Sequence, residues 1–157
     1  MKAALYLETS VVSYLTARPS RNVIVAAHQQ ITQDWWRRRR KHFDICVSQF
    51  VLDEVAQGDA PLARQRVALV KPFRVLEATD GALRLAKALV AMGVIPRKAA
   101  ADAAHIAVAA THGVHFLMTW NCKHIANAEM VDRIEKVCRS QGFDCPVICT
   151  PEELIGE

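Results

Sequence analysis

The sequence predicts an α/β fold, a three-layer α/β/α sandwich around a mainly parallel sheet. Short apolar runs of strand length alternate with longer segments of helical periodicity. The runs are dense in apolar residues, as in strands covered on both faces. Gly, Pro, Asn and Ser punctuate the boundaries. With 157 residues and 52% apolar content, the chain matches one domain over residues 1–157 with a single core.

Lys2 to Leu7 reads as a buried strand ending at Glu8, and Thr9 or Ser10 can cap a short helix over Val11 to Leu15. Arg18-Pro19-Ser20 breaks that helix. Asn22 caps a longer one, with Ile24, His28, Ile31 and Trp35 at helical spacing, running to about Lys41. Phe43 to Val47 is a second strand, followed by Ser48 in a capping position and a helix carrying Val51, Leu52 and Val55 to Gly58. Pro61 to Val70 predicts a helix, Phe73 to Leu76 a strand, and Asp80 to Met92 a helix stopped by Gly93. Alanine-rich Lys98 to Thr111 is a strong helix former, which Gly113 ends before a strand over Val114 to Met118. Helical sequence then runs to about Gln141 with a break near Asn127, Pro146 to Cys149 forms a last strand, and Pro151 opens a terminal turn.

Several function classes are excluded. No apolar run approaches the ~20 residues that span a bilayer, and Glu8 follows Met1-Lys2 too soon for a secretory signal, so a soluble cytoplasmic protein is expected, with no membrane partner. Five cysteines, Cys46, Cys122, Cys138, Cys145 and Cys149, form no CxxC pair, and their odd number argues for reduced thiols. Cys145 and Cys149 lack two further ligands at zinc spacing. P-loop, GxGxxG, HExxH and GxSxG motifs are absent. A net charge of +4 and a pI near 8.9 are compatible with a polyanionic partner without requiring one. The local block Arg37 to Lys41, beside Trp35 and Trp36, reads as a solvated helix end, as a phosphate-binding patch or as a site for an acidic partner.

Acids and one amide interrupt the apolar elements. Glu8 follows the first strand and Asn121 the fourth, so both fall at the carboxyl edge of the sheet, where such folds bind ligands. Asp102 breaks the alanines of its helix, where Asp is a poor residue whose cost needs an offset. His105, three residues on, shares that helix face and can pair with it, ligate a transition metal with it, or contact a phosphate or support a ligand residue. Asp53 and Glu54 point ~100° apart on a helix; Glu54, in register between Val51 and Val55, is the candidate for the cleft. Thr9 and Ser10 can orient Glu8 or a water, and Lys123 and His124 can touch phosphates or be merely solvated. Trp120 reads as core or cleft wall. Carboxylates held together away from water cost several kcal/mol and raise one another's pKa values unless a cation neutralises them. Mg²⁺ or Mn²⁺ bound through carboxylates is the usual partner for phosphate chemistry.

Four segments, Tyr6-Leu7-Glu8-Thr9-Ser10-Val11, Ser48 to Val55, Ala101-Asp102-Ala103-Ala104-His105-Ile106-Ala107 and Leu117-Met118-Thr119-Trp120-Asn121, together resemble a PIN domain. The nearest likeness is to VapC-like toxins of bacterial toxin–antitoxin pairs. The resemblance implies a metal-dependent endoribonuclease, a homodimer inhibited by a cognate antitoxin that fills its cleft. It maps Glu8, Glu54 and Asp102 onto the family's three main acids, as metal ligands, and Asn121 onto a fourth, commonly acidic position. Two departures stand out: the first acid is commonly Asp, one methylene shorter than Glu8, and Asn121 is uncharged. Two alternatives stay open, a catalytically impaired PIN-like domain that binds RNA or protein, and another Mg²⁺-dependent phosphoryl-transfer enzyme acting on small phosphate esters.

Overall fold

The computed structural model describes residues 1–156. Its strands are β1 (Ala3–Leu7), β2 (Phe43–Ser48), β3 (Arg74–Leu76), β4 (Phe116–Met118) and β5 (Val147–Cys149). Its helices are α1 (Thr9–Thr16), α2 (Val23–Arg39), α3 (Gln49–Val55), α4 (Ala60–Val70), α5 (Asp80–Ala91), α6 (Ala100–Thr111) and α7 (Ala128–Ser140). The sheet order is β3-β2-β1-β4-β5, and all four pairings are parallel. Parallel strands require crossovers, which are right-handed almost without exception. The chain moves from β1 outward to β3, then returns past β1 to β4 and β5. The crossovers therefore put α1 to α4 on one face and α5 to α7 on the other, as the contacts of α1 with α2, α3 and α4 and of α5 with α6 and α7 show. This is the three-layer sandwich that the sequence predicts.

Leu5, Tyr6 and Leu7 of β1, Cys46 and Val47 of β2, and Leu117 and Met118 of β4 are fully enclosed, because helices cover both faces of the sheet. The α6 helix is buried from Ala103 to Ala110; its small side chains let the backbone approach α5 and the sheet closely.

Element ends differ from the expectations where a local bond competes. Glu8, not Thr9 or Ser10, caps α1, its carboxylate accepting from the Ser10 N–H. Asp59 and Thr79 cap α4 and α5 through Leu62 N and Ala82 N. A single 3₁₀ turn, Arg40–His42, replaces the expected end of α2, and another, Arg97–Ala99, precedes α6. Gly113, at φ +65°, turns the chain out of α6 as predicted. The segment after Asn121 is turns rather than helix until Asn127, whose side chain accepts from Glu129 N and starts α7. Among the described residues no helix is long and apolar enough to cross a membrane.

Candidate active site

The chain reverses its progress across the sheet between β1 and β4, and the region beyond their carboxyl ends is where sheets of this kind bind ligands. Glu8 N donates to Met118 O at 3.1 Å, joining the two strand exits. The Ser10 hydroxyl completes the join, accepting from Trp120 N at 2.8 Å and donating to Glu8 Oε1 at 2.5 Å. Thr119 Oγ1 also donates to Glu8 Oε1, at 2.5 Å, and accepts from Asn121 N at 2.9 Å. Glu8 is only 5% exposed, and its Oε2 accepts from Ser10 N at 3.1 Å. The extra methylene of this residue is thus taken up by folding the carboxylate back onto its own helix start, where an anion is favoured.

Glu54 enters from α3. Val51 and Val55 on the same helix are buried, while Asp53 points to solvent and accepts from Gln49 Nε2, so the helix presents Glu54 and not Asp53 to the cleft. Glu54 Oε1 accepts from Thr9 Oγ1 at 2.7 Å and faces His105 Nε2 at 2.6 Å. Both bonds fall on one oxygen, which leaves Oε2 for the cleft. The Glu54 side chain is 36% exposed, enough to reach a ligand. Partial burial disfavours its charge, but the hydrogen bond and charge of His105 and the bond from Thr9 outweigh that and hold its carboxyl below the usual value.

His105 is completely buried. A carboxylate can only accept, so in the neutral ring the hydrogen sits on Nε2, and Nδ1 accepts from Tyr6 Oη at 2.7 Å. Tyr6 Oη lies 2.6 Å from Ser48 Oγ. A chain Ser48–Tyr6–His105–Glu54 therefore runs from core to cleft. Burial pushes the Tyr6 phenol above its ordinary range, opposed by the Ser48 bond and reinforced by the charges of Glu8 and Glu54, which keeps it a neutral hydrogen-bonding group. Ser48 holds the capping position of α3, as expected, without a side-chain cap bond. The expected pairing of His105 with Asp102 does not form: His105, sealed in the core, meets Tyr6 and Glu54 instead.

Asp102 instead lies near His124, with Oδ2 and Nδ1 3.1 Å apart. His124 comes from the turn after β4, whose shape is set by Asn121: Asn121 Oδ1 accepts from His124 N at 3.0 Å. Lys123 is exposed beside it. Trp120, 9% exposed, is a wall of the core: its Nε1 donates to Thr32 Oγ1 at 2.7 Å, and its ring stacks on His28 with centroids 4.0 Å apart.

Glu8, Glu54 and His105 each place a ligand-type atom within 4.8 Å of the others. Both nitrogens of His105 are already used, so the oxygens of Glu8 and Glu54 are the donors for a hard cation. Two carboxylates with open lone pairs, one buried and one part-exposed, fit a divalent metal. Asp102 is not a member of that group.

Sequence reasoning missed Tyr6, Ser48, Thr119 and the Asp102–His124 contact. A signal existed for Tyr6, since a tyrosine within a wholly buried strand needs a partner for its hydroxyl. None existed for the others.

Fold and site together define an α/β/α sandwich with a carboxylate-lined cleft at the strand-order reversal. The family model described as PIN domain matches residues 5–121, and the chain belongs to the PIN domain family. No curated protein matches it. Among solved structures it is similar to the crystal structure of VapBC2 from Rickettsia felis bound to a DNA fragment from their promoter, with a TM-score of 0.60 and 13% sequence identity, covering 94% of this chain and 98% of that one. At that identity the likeness concerns the fold.

Proposed function

We propose that the protein is a Mg²⁺- or Mn²⁺-dependent endoribonuclease, the toxin of a toxin–antitoxin pair that acts as a homodimer and is restrained by a cognate antitoxin. The observation that carries this reading is the meeting of Glu8 and Glu54 beside a buried histidine at the reversal point of a PIN domain chain. PIN domains are generally nucleases. The similarity to a chain of a VapBC2 complex supports the toxin and antitoxin assignment.

Glu8 and Glu54 would hold the cation, and Asp102, beside His124, would be the third acid. When bound, a divalent cation supplies charge neutralisation of phosphoryl oxygens and acidifies water. The remaining work belongs to the chain. Thr9 and His105 lock the Glu54 carboxylate, Ser10 and Thr119 lock that of Glu8, and Asn121 shapes the turn that carries His124 and Lys123 toward a phosphodiester.

A competing reading, a PIN domain that binds RNA or protein without cleaving it, is favoured by one feature: Asn121 brings no charge, and its Oδ1 is spent on the His124 amide. RNA cleavage in Mg²⁺ or Mn²⁺ separates the two. Wild type should cleave, with Glu8→Gln and Asp102→Asn reduced on the order of 100-fold. Cleavage that persists in excess chelator, or survives both substitutions, refutes the metal site.

A further inference from the structure

The basic block stands at the opposite end of the sheet from the carboxylates. Arg40 to His42 form the turn that enters β2, whereas the cleft lies beyond the exit of that six-residue strand, roughly 16 Å away at about 3.3 Å per residue. The block therefore does not line the mouth of the cleft and needs its own account.

Its members have different duties. Arg37 is paired with Asp34 at 2.5 Å. Arg39 turns inward: its Nε is buried, and its guanidinium lies 3.1–3.2 Å from where a Cβ on Gly156 would sit, so it packs under the C-terminal turn. Among the described residues, Arg38, Arg40 and Lys41 form no ion pair. The Arg40 guanidinium lies 4.8 Å from the Trp36 ring centroid, and Phe73 meets the same ring edge-on at 5.9 Å. Beside them is a groove of about 400 Å³ lined by Arg40, Lys41, Phe43, Asp44, Phe73 and Arg74, among others, in which Asp44 pairs with Arg74 at 2.9 Å and leaves Arg40 and Lys41 as the cations without an acid.

The α2 dipole explains cations in its last turn. It does not explain why Arg40 and Lys41, which pair with no acid among the described residues, border a groove walled by Phe43 and Phe73. Cations that track a phosphate backbone beside planar groups are what single-stranded nucleic acid uses, with base stacking added to charge neutralisation. An acidic peptide would use the charges and leave the rings without a role. We infer that this groove is a second contact for single-stranded RNA, at the sheet edge remote from the cleft, gripping the strand beyond the segment held at the carboxylates. The inference rests on the ribonuclease reading.

The test is binding of a fluorescent single-stranded RNA in EDTA across a salt series, comparing wild type with a variant carrying R40Q and K41Q. At about 0.7 per neutralised phosphate on single strands, the slope of log K against log salt should become shallower by about 1.4 in the variant. If loss of the Arg40–Trp36 contact unfolds it, K41Q alone should lower the slope by roughly 0.7. An unchanged slope and affinity in the folded variant overturns the inference. So does loss of poly-glutamate binding with RNA binding intact, which assigns the groove to an acidic protein. Wild-type RNA binding with the expected change of slope, but no cleavage in Mg²⁺, sinks the nuclease reading and leaves the groove standing.

Discussion

Glu54 is gripped through one oxygen and open through the other, and both facts have measurable consequences. Its carboxyl is held below the ordinary 4.5 by His105 and Thr9 against the effect of burial. A depressed folded value stabilises the protein above the unfolded value, and that contribution disappears as pH falls through the folded one. Glu54→Gln keeps an acceptor for Thr9 and His105 but no charge. The stability difference between wild type and Glu54→Gln should therefore be constant above about pH 5 and shrink on acidification, as followed by urea unfolding at a series of pH values. Tyr6→Phe strips the partner from His105 Nδ1 and Ser48 Oγ inside the core. Leaving such groups unsatisfied should lower unfolding free energy by about 2 kcal/mol, measured by chemical denaturation; a loss under ~0.5 kcal/mol would mean that the chain contributes little. Asp102 was legible because it offends helix propensity among alanines, but its neighbour was not. Spacing points to His105, three residues on, yet whether two such residues meet depends on what each finds across the helix face. His105 finds Tyr6 and Glu54, and Asp102 finds His124.

At the scale of elements, short apolar runs and their punctuation marked every strand and helix, and the errors fell at ends. Ends are decided by single side-chain bonds, and the carboxylate of Glu8 outcompeted two hydroxyls for the start of α1. The β4 strand shrank to Phe116–Met118, although His115 still bonds Ala4 O and accepts from Val147 N. The buried alanines of α6 set the distance between that helix and its neighbours, so Ala107, fully enclosed, has no room to grow. Ala107→Leu should cost about 1–3 kcal/mol by overpacking, seen as a lower thermal midpoint. Because α6 carries both Asp102 and His105, the same change should lower RNA cleavage as well.

For the whole molecule, the carboxylates come together only in the native state, so a cation they bind must stabilise that state. Mg²⁺ or Mn²⁺ at 100 times its dissociation constant should add about 2.7 kcal/mol, raising the thermal midpoint of wild type but not of a Glu8→Gln, Glu54→Gln double variant; equal shifts in both proteins would place the cation elsewhere. The alternation of strand-length runs with helical segments determined the sandwich by itself, since those periodicities are local and leave few ways to bury their apolar faces. Residue chemistry likewise marked Glu8, Glu54, Asp102 and Asn121. Only tertiary structure decided which of them meet, because Glu8 and Glu54 are separated by 46 positions in sequence and are joined by strand order and helix rotation rather than by spacing. It also moved the basic block to the far end of the sheet. The antiparallel run of α2 carries the chain back there, and five consecutive cations in a sequence say nothing about the edge at which their helix ends.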